Sequence, residues 1–258
     1  MFALTASIAL AALPPLQTVS YPSGPETISG QLAVPSSGGR HPALILVHEW
    51  WGLNGFAKTK AQQLAEQGFV TLAVDLYRGP VASDPDTAHQ LSRGLPEDRA
   101  KRDLAAAFAY LAARPDVDAR HIASIGWCMG GGYALEEALQ EPRLAAAVIY
   151  YGRLPTDPTA IAGIKAKLLG SFGADDKGIP PAAVSAFEKQ ARAAGVSLDF
   201  KEYPGAGHGF ASSADPQVYR TEAAQDADHR ALEFLAKTLP GTPAPAHPRG
   251  GSGATNQR

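Results

Sequence analysis

Short apolar runs alternate along the chain with longer stretches whose apolar residues recur at helical spacing. That alternation predicts an α/β fold, a mostly parallel central sheet with helices on both faces. The runs predict strands at Thr27–Val34, Ala43–His48, Val70–Asp75, His121–Gly126, Ala145–Tyr151, Lys167–Phe172 and Ser197–Tyr203. Helical patterns lie between them at about Gly55–Glu66, Asp98–Ala113, Met129–Leu139, Pro181–Ala194 and Pro216–Lys237. In the second of these, Leu104, Phe108 and Leu111 share one face at the i, i+4, i+7 spacing. Arg114-Pro115 ends it, because the residue before a proline avoids helical dihedrals. The run ALILVH at 43–48 is continuously apolar, as suits a strand buried on both sides. There is no internal repeat, and the segment 17–239 reads as one domain.

In such sheets ligands bind beyond the C-terminal ends of the strands. Four unusual sequences stand at those ends: HEWWG, GWCMGG, GADDKGIP and GAGHGF. Their clustering is the first sign of an active site.

Composition narrows the classes. The 258 residues are 45% hydrophobic and 19% charged with a net charge of −2, which gives a core but no basic footprint for nucleic acid or an anionic membrane. One cysteine permits neither an intramolecular disulfide nor a cysteine-rich zinc cluster. No run in the body of the chain reaches the roughly 18 apolar residues of a membrane span. Residues 2–13, FALTASIALAAL, are about as long as the apolar part of a signal peptide but lack a basic residue before them. Residues 1–16 are therefore either an extension or a degenerate signal. The expected location is cytoplasmic, or exported if that segment is a signal. The Pro- and Gly-rich stretch 240–258 is expected to be a disordered tail.

The lone thiol, Cys128, sits in Gly126-Trp127-Cys128-Met129-Gly130, the G-x-S-x-G nucleophile elbow with cysteine for serine. Glycines two residues either side allow the close approach that a sharp strand-to-helix turn requires. The following helix would aim its positive end at the sulfur and favour a thiolate. A thiol nucleophile needs a base, and the base an orienting group. His208, in YPGAGHGF, is the one histidine of seven set among glycines after a strand. For the acid, Asp175 and Asp176 are both candidates, and spacing in the loop before Pro180 favours Asp176. His48-Glu49 is not a zinc motif, because position 52 of H-E-x-x-H is Gly52.

The set resembles the dienelactone hydrolase (carboxymethylenebutenolidase) family of the α/β-hydrolase superfamily. The resemblance rests on HEWWGLN, VDLYRG, GWCMGG, GADDKGIP and YPGAGHGF, in the family's order over about residues 43–210. It implies an α/β-hydrolase fold and hydrolysis of an enol-lactone or activated ester without cofactor or metal. The expected partner is a small-molecule ester or lactone, with no nucleic acid or membrane, and the chain is expected to act as a monomer. Cys128 would be the nucleophile, Asp176 and His208 its partners, and Glu49 an acid touching the resting thiol. Backbone N–H groups of Met129 and Trp50 would form the oxyanion hole. Arg78, Tyr77, Trp127 and Tyr151 would meet substrate.

There are departures. Relatives acting on dienelactone hold its carboxylate with two arginines; here Arg78 comes one place early, and Ser212 stands where the second arginine would be. A serine hydroxyl cannot replace a guanidinium clamp. Alternative readings are a broad carboxylesterase on neutral esters, or a non-enzymatic redox or ligand-binding protein with an exposed thiol.

Overall fold

The computed structural model describes residues 12–241. Eight strands form one sheet in the order β1-β2-β4-β3-β5-β6-β7-β8. They are β1 (Leu16–Ser23), β2 (Glu26–Ala33), β3 (His41–Val47), β4 (Val70–Val74), β5 (Val117–Trp127), β6 (Ala146–Tyr150), β7 (Lys167–Gly173) and β8 (Leu198–Tyr203). β1 and β2 form an antiparallel hairpin, β2 joins β4 antiparallel, and every pairing from β4 to β8 is parallel. The helices are α1 (Gly55–Glu66), α2 (Pro85–Arg93), α3 (Glu97–Ala112), α4 (Met129–Gln140), α5 (Pro158–Gly163), α6 (Pro181–Ala193) and α7 (Thr221–Thr238).

β3 shows why the central strands carry no polar face. Leu44 and Leu46 join a core with Ala57, Ala61 and Leu64 of α1 and Ala227, Ala231 and Leu235 of α7. Ile45 and Val47 point the other way, into a core with Leu104, Phe108 and Leu111 of α3 and Leu135 of α4. Alternation at period two thus buries both faces, and each face needs its own helical layer. This is the α/β-hydrolase fold.

The sequence reading misses three elements. β1 begins inside the stretch 1–16 expected as an extension or signal, for Leu16 already pairs with Ala33. The Pro14 carbonyl just ahead of it accepts a hydrogen bond from Gln62 Nε2 at 2.8 Å. α2 buries only Ala88 and α5 only Ile161, so neither has an apolar stripe to read. The last helix begins at Thr221 rather than near Pro216. Residues 1–11 of the extension or signal, and 242–258 of the expected tail, lie outside the described residues.

Candidate active site

The parallel strands all run the same way, so their C-terminal ends deliver Glu49, Cys128, Tyr151, Asp176 and His208 to one edge of the sheet. They follow β3, β5, β6, β7 and β8 respectively. The turn after β5 is the tightest of these. Cys128 has φ 56° and ψ −119°, and α4 starts at the next residue. A Cβ on Gly126 would lie 2.1 Å from the Gly130 carbonyl oxygen, and one on Gly130 would lie 2.2 Å from that of Val47. These two positions must be glycine for the turn to close. The Cys128 N–H is bound to the Tyr150 carbonyl at 3.0 Å, and its own carbonyl accepts from Gly132 N–H at 3.2 Å. The side chain therefore has no choice of direction: it stands out at the N-terminus of α4, where the helix favours negative charge.

His208 Nε2 lies 3.0 Å from Cys128 Sγ. On its other side, Nδ1 lies 2.7 Å from Asp176 Oδ2. Asp176 Oδ1 accepts N–H bonds from Gly178 at 2.8 Å and Ile179 at 3.0 Å, so both carboxylate oxygens are fixed. Burial would raise the Asp176 pKa, but the bonds from His208, Ile179 and Gly178 outweigh it and hold the group below its ordinary value. For His208, burial opposes the charged ring. The bonds to Asp176 and Cys128, with their charges, overcome that and push its pKa up to about 10. Asp175, the other acid considered, is exposed and directs its N–H to the Ala206 carbonyl at 2.9 Å.

Glu49 is 5% exposed. Burial raises its pKa to about 7, opposed by a hydrogen bond and by the charges on His208 and Lys60, and reinforced by the charge on Asp215. That hydrogen bond comes from Ser212, whose hydroxyl donates to Oε2 at 2.8 Å. Glu49 was expected to touch the resting thiol; its bond is to Ser212 instead, and the thiol's partner is His208. Beside it, His48 is fully buried, which lowers its pKa and keeps the ring neutral. Its Nδ1–H donates to the Glu49 carbonyl at 2.6 Å. This bond and the Gly52 N–H, 3.2 Å from the same oxygen, shape the turn carrying Trp50 and Trp51.

A cleft of about 320 Å³ opens over these groups, lined by Glu49, Trp50, Trp51, Cys128, His208, Gly209, Ser212, Asp215 and Val218. None of the four residues expected to meet substrate lines it. Arg78 is turned away into ion pairs with Glu26 at 2.7 Å and Asp103 at 3.0 Å. Tyr77 donates to the Trp50 carbonyl at 3.0 Å, with Met129 Sδ 3.2 Å away, and so braces two expected oxyanion-hole residues from behind. Trp127 is 2% exposed and stacks on Tyr150 at 4.9 Å. It borders a separate cavity of about 300 Å³ beside α1 and α7, whose charged pair, Lys60 and Asp228, is already joined at 2.6 Å. Tyr151, with φ 38°, is fully buried and packs edge-on against His208 at 5.1 Å. Trp127 and Tyr151 share one reason for their displacement: strand-end aromatics adjoin the core as closely as the cleft. Ser212 is the residue that sequence reasoning passed over, noticed only as an absent arginine. Among the described residues no group of His, Cys, Asp and Glu is placed to hold a metal ion. None of their helices is long and apolar enough to cross a membrane.

Comparison with known proteins agrees with this architecture. A Methylorubrum extorquens protein named as a carboxymethylenebutenolidase is 33% identical over 231 residues, covering 84% of this chain and 79% of its own. A Klebsiella pneumoniae structure named for dienelactone hydrolase superposes with a TM-score of 0.80 at 27% identity, over 86% of this chain and 98% of that one. A dienelactone hydrolase-like promiscuous phosphotriesterase, P91, from metagenomic libraries gives 0.80 at 26% identity, over 88% and 100%. The model of the dienelactone hydrolase family matches residues 28–239. With the fold, the sequence and the order of the site loops in agreement, the chain belongs to the dienelactone hydrolase family and is a hydrolase.

Proposed function

We propose that this hydrolase cleaves carboxylic esters or lactones through a covalent thioester on Cys128. The observation that carries the reading is the unbroken line from sulfur to imidazole to carboxylate, 3.0 Å and 2.7 Å long. The relatives named as carboxymethylenebutenolidases extend it from open esters to lactones.

With Asp176 accepting from Nδ1–H, the imidazole presents Nε2 to the sulfur and takes its proton. The thiolate attacks the acyl carbon, and the carbonyl π pair moves to oxygen. That oxyanion meets the N–H groups of Met129, the first of α4, and Trp50. Collapse expels the alkoxide or enolate, which takes the proton from His208, and leaves the acyl group on sulfur. Neutral His208 then removes a proton from water as its oxygen adds to the thioester. The second collapse releases the acid and restores the thiolate–imidazolium pair. Glu49, held by Ser212, is about half protonated near neutrality and so adds only part of a negative charge beside the thiolate.

Hydrolysis of p-nitrophenyl acetate tests this. Cys128→Ala should lose at least about 10³-fold in kcat/KM, and mass spectrometry of the quenched wild type should find the acyl group on Cys128. Full activity in Cys128→Ala would overturn the reading.

A further inference from the structure

Resting on that reading, we propose that the cleft selects esters whose acyl part carries no negative charge. The nine residues lining it include two acids, Glu49 and Asp215, and neither lysine nor arginine. Three cations of the neighbouring elements have partners elsewhere, although the Lys60 charge still reaches Glu49. Arg78 is held by Glu26 and Asp103, and Lys60 by Asp228. Arg220 donates to the carbonyls of Gln217 and Tyr219. The positive ring at the site, His208, is held between Asp176 and the thiol and has no free N–H to offer.

An acyl carboxylate entering this cleft would be a second or third anion in a confined space, and the hydroxyl best placed to receive it is already engaged. Ser212 gives its proton to Glu49 at 2.8 Å. The remaining walls are Trp50, Trp51, Val218 and Gly209, with the two indoles tilted at 60° and 5.0 Å apart. Such walls accept an alkyl or aryl group and offer a carboxylate no cation to pair with. The raised pKa of Glu49, pushed up by burial and by Asp215, shows the same resistance to negative charge from within. A buried anion without a partner is strongly disfavoured, and like charges across an interface exclude the wrong partner.

The test uses two p-nitrophenyl esters that differ by one methyl group, the monoanionic hydrogen glutarate and its neutral methyl ester, each normalised to its own hydroxide-catalysed rate. The neutral ester should be favoured by at least about tenfold in kcat/KM at low ionic strength, with the gap shrinking as salt is added. Asp215→Lys should narrow the gap about threefold or more, and Asp215→Asn by less, with circular dichroism showing that each has folded. Equal or faster cleavage of the anion, or a gap unchanged in both variants, overturns the proposal and leaves the hydrolase reading standing. No cleavage of either ester or of p-nitrophenyl acetate overturns both.

Discussion

Replacing Glu49 with glutamine should stabilise the protein, and by an amount that depends on pH. The carboxyl has an ordinary pKa of 4.5 and is raised by burial to about 7. Its proton is therefore bound more tightly by the folded chain than by the unfolded one. The stability this group contributes is fully present below about pH 4.5 and is lost as pH rises through about 7. A shift of roughly 2.5 units at 1.36 kcal/mol each amounts to about 3.4 kcal/mol once the group is fully ionised, and linkage leaves only about 0.8 kcal/mol of that lost near pH 5. Glutamine keeps the shape, and its carbonyl can still accept from the Ser212 hydroxyl at 2.8 Å, but it cannot ionise. The gain of Glu49→Gln over wild type should accordingly grow by about 2.5 kcal/mol between about pH 5 and pH 8.5. Urea unfolding of both proteins at the two pH values measures it. Glu137, whose raised pKa also makes stability fall with pH, does not act on Glu49 and cancels in the comparison. A difference independent of pH would show that Glu49 ionises normally in the folded chain, and the argument from burial would be wrong.

Two further outcomes are expected. Asp176→Asn should lower kcat/KM on neutral esters by about 10³-fold or more, the scale of losing a tautomer-fixing carboxylate. The downfield proton resonance of His208 Nδ1–H should vanish with it, and a retained resonance with retained rate would remove Asp176 from the proposed mechanism. Arg78→Ala should cost about 3 kcal/mol of stability in urea, because Asp103, fully buried, loses its cationic partner. The same variant should leave kcat/KM for neutral esters unchanged, and a rise in KM would return Arg78 to the cleft.

The parts of the molecule legible in the sequence are those governed by local rules. The buried run of β3 and the glycines of the elbow are dictated by packing and turn geometry, and both stand out against any neighbour. Asp176 was separable from Asp175 by its place in the loop. β1 was not legible because it lies at the sheet's edge, where half its residues meet solvent and the apolar period dissolves. α2 and α5 are short and almost without buried residues, so they are held by caps from Asp84 and Asp157 rather than by a hydrophobic face. The errors at the site have another cause. Whether Arg78 reaches the cleft depends on Glu26 and Asp103, which lie 52 and 25 residues away along the chain. Ser212 bonds a residue 163 positions away, and no spacing rule spans that distance.

The positive φ of Cys128 decides which other residues this position could hold. The left-handed dihedral is imposed by the backbone bonds to Tyr150 and Gly132, whatever side chain is present. A branched Cβ tolerates such dihedrals poorly, so threonine and valine are excluded before their chemistry matters. Serine and alanine fit without moving the chain. Exchange between sulfur and oxygen is therefore open to this scaffold in a single replacement, at no conformational cost, whereas a secondary alcohol would require the turn itself to be rebuilt.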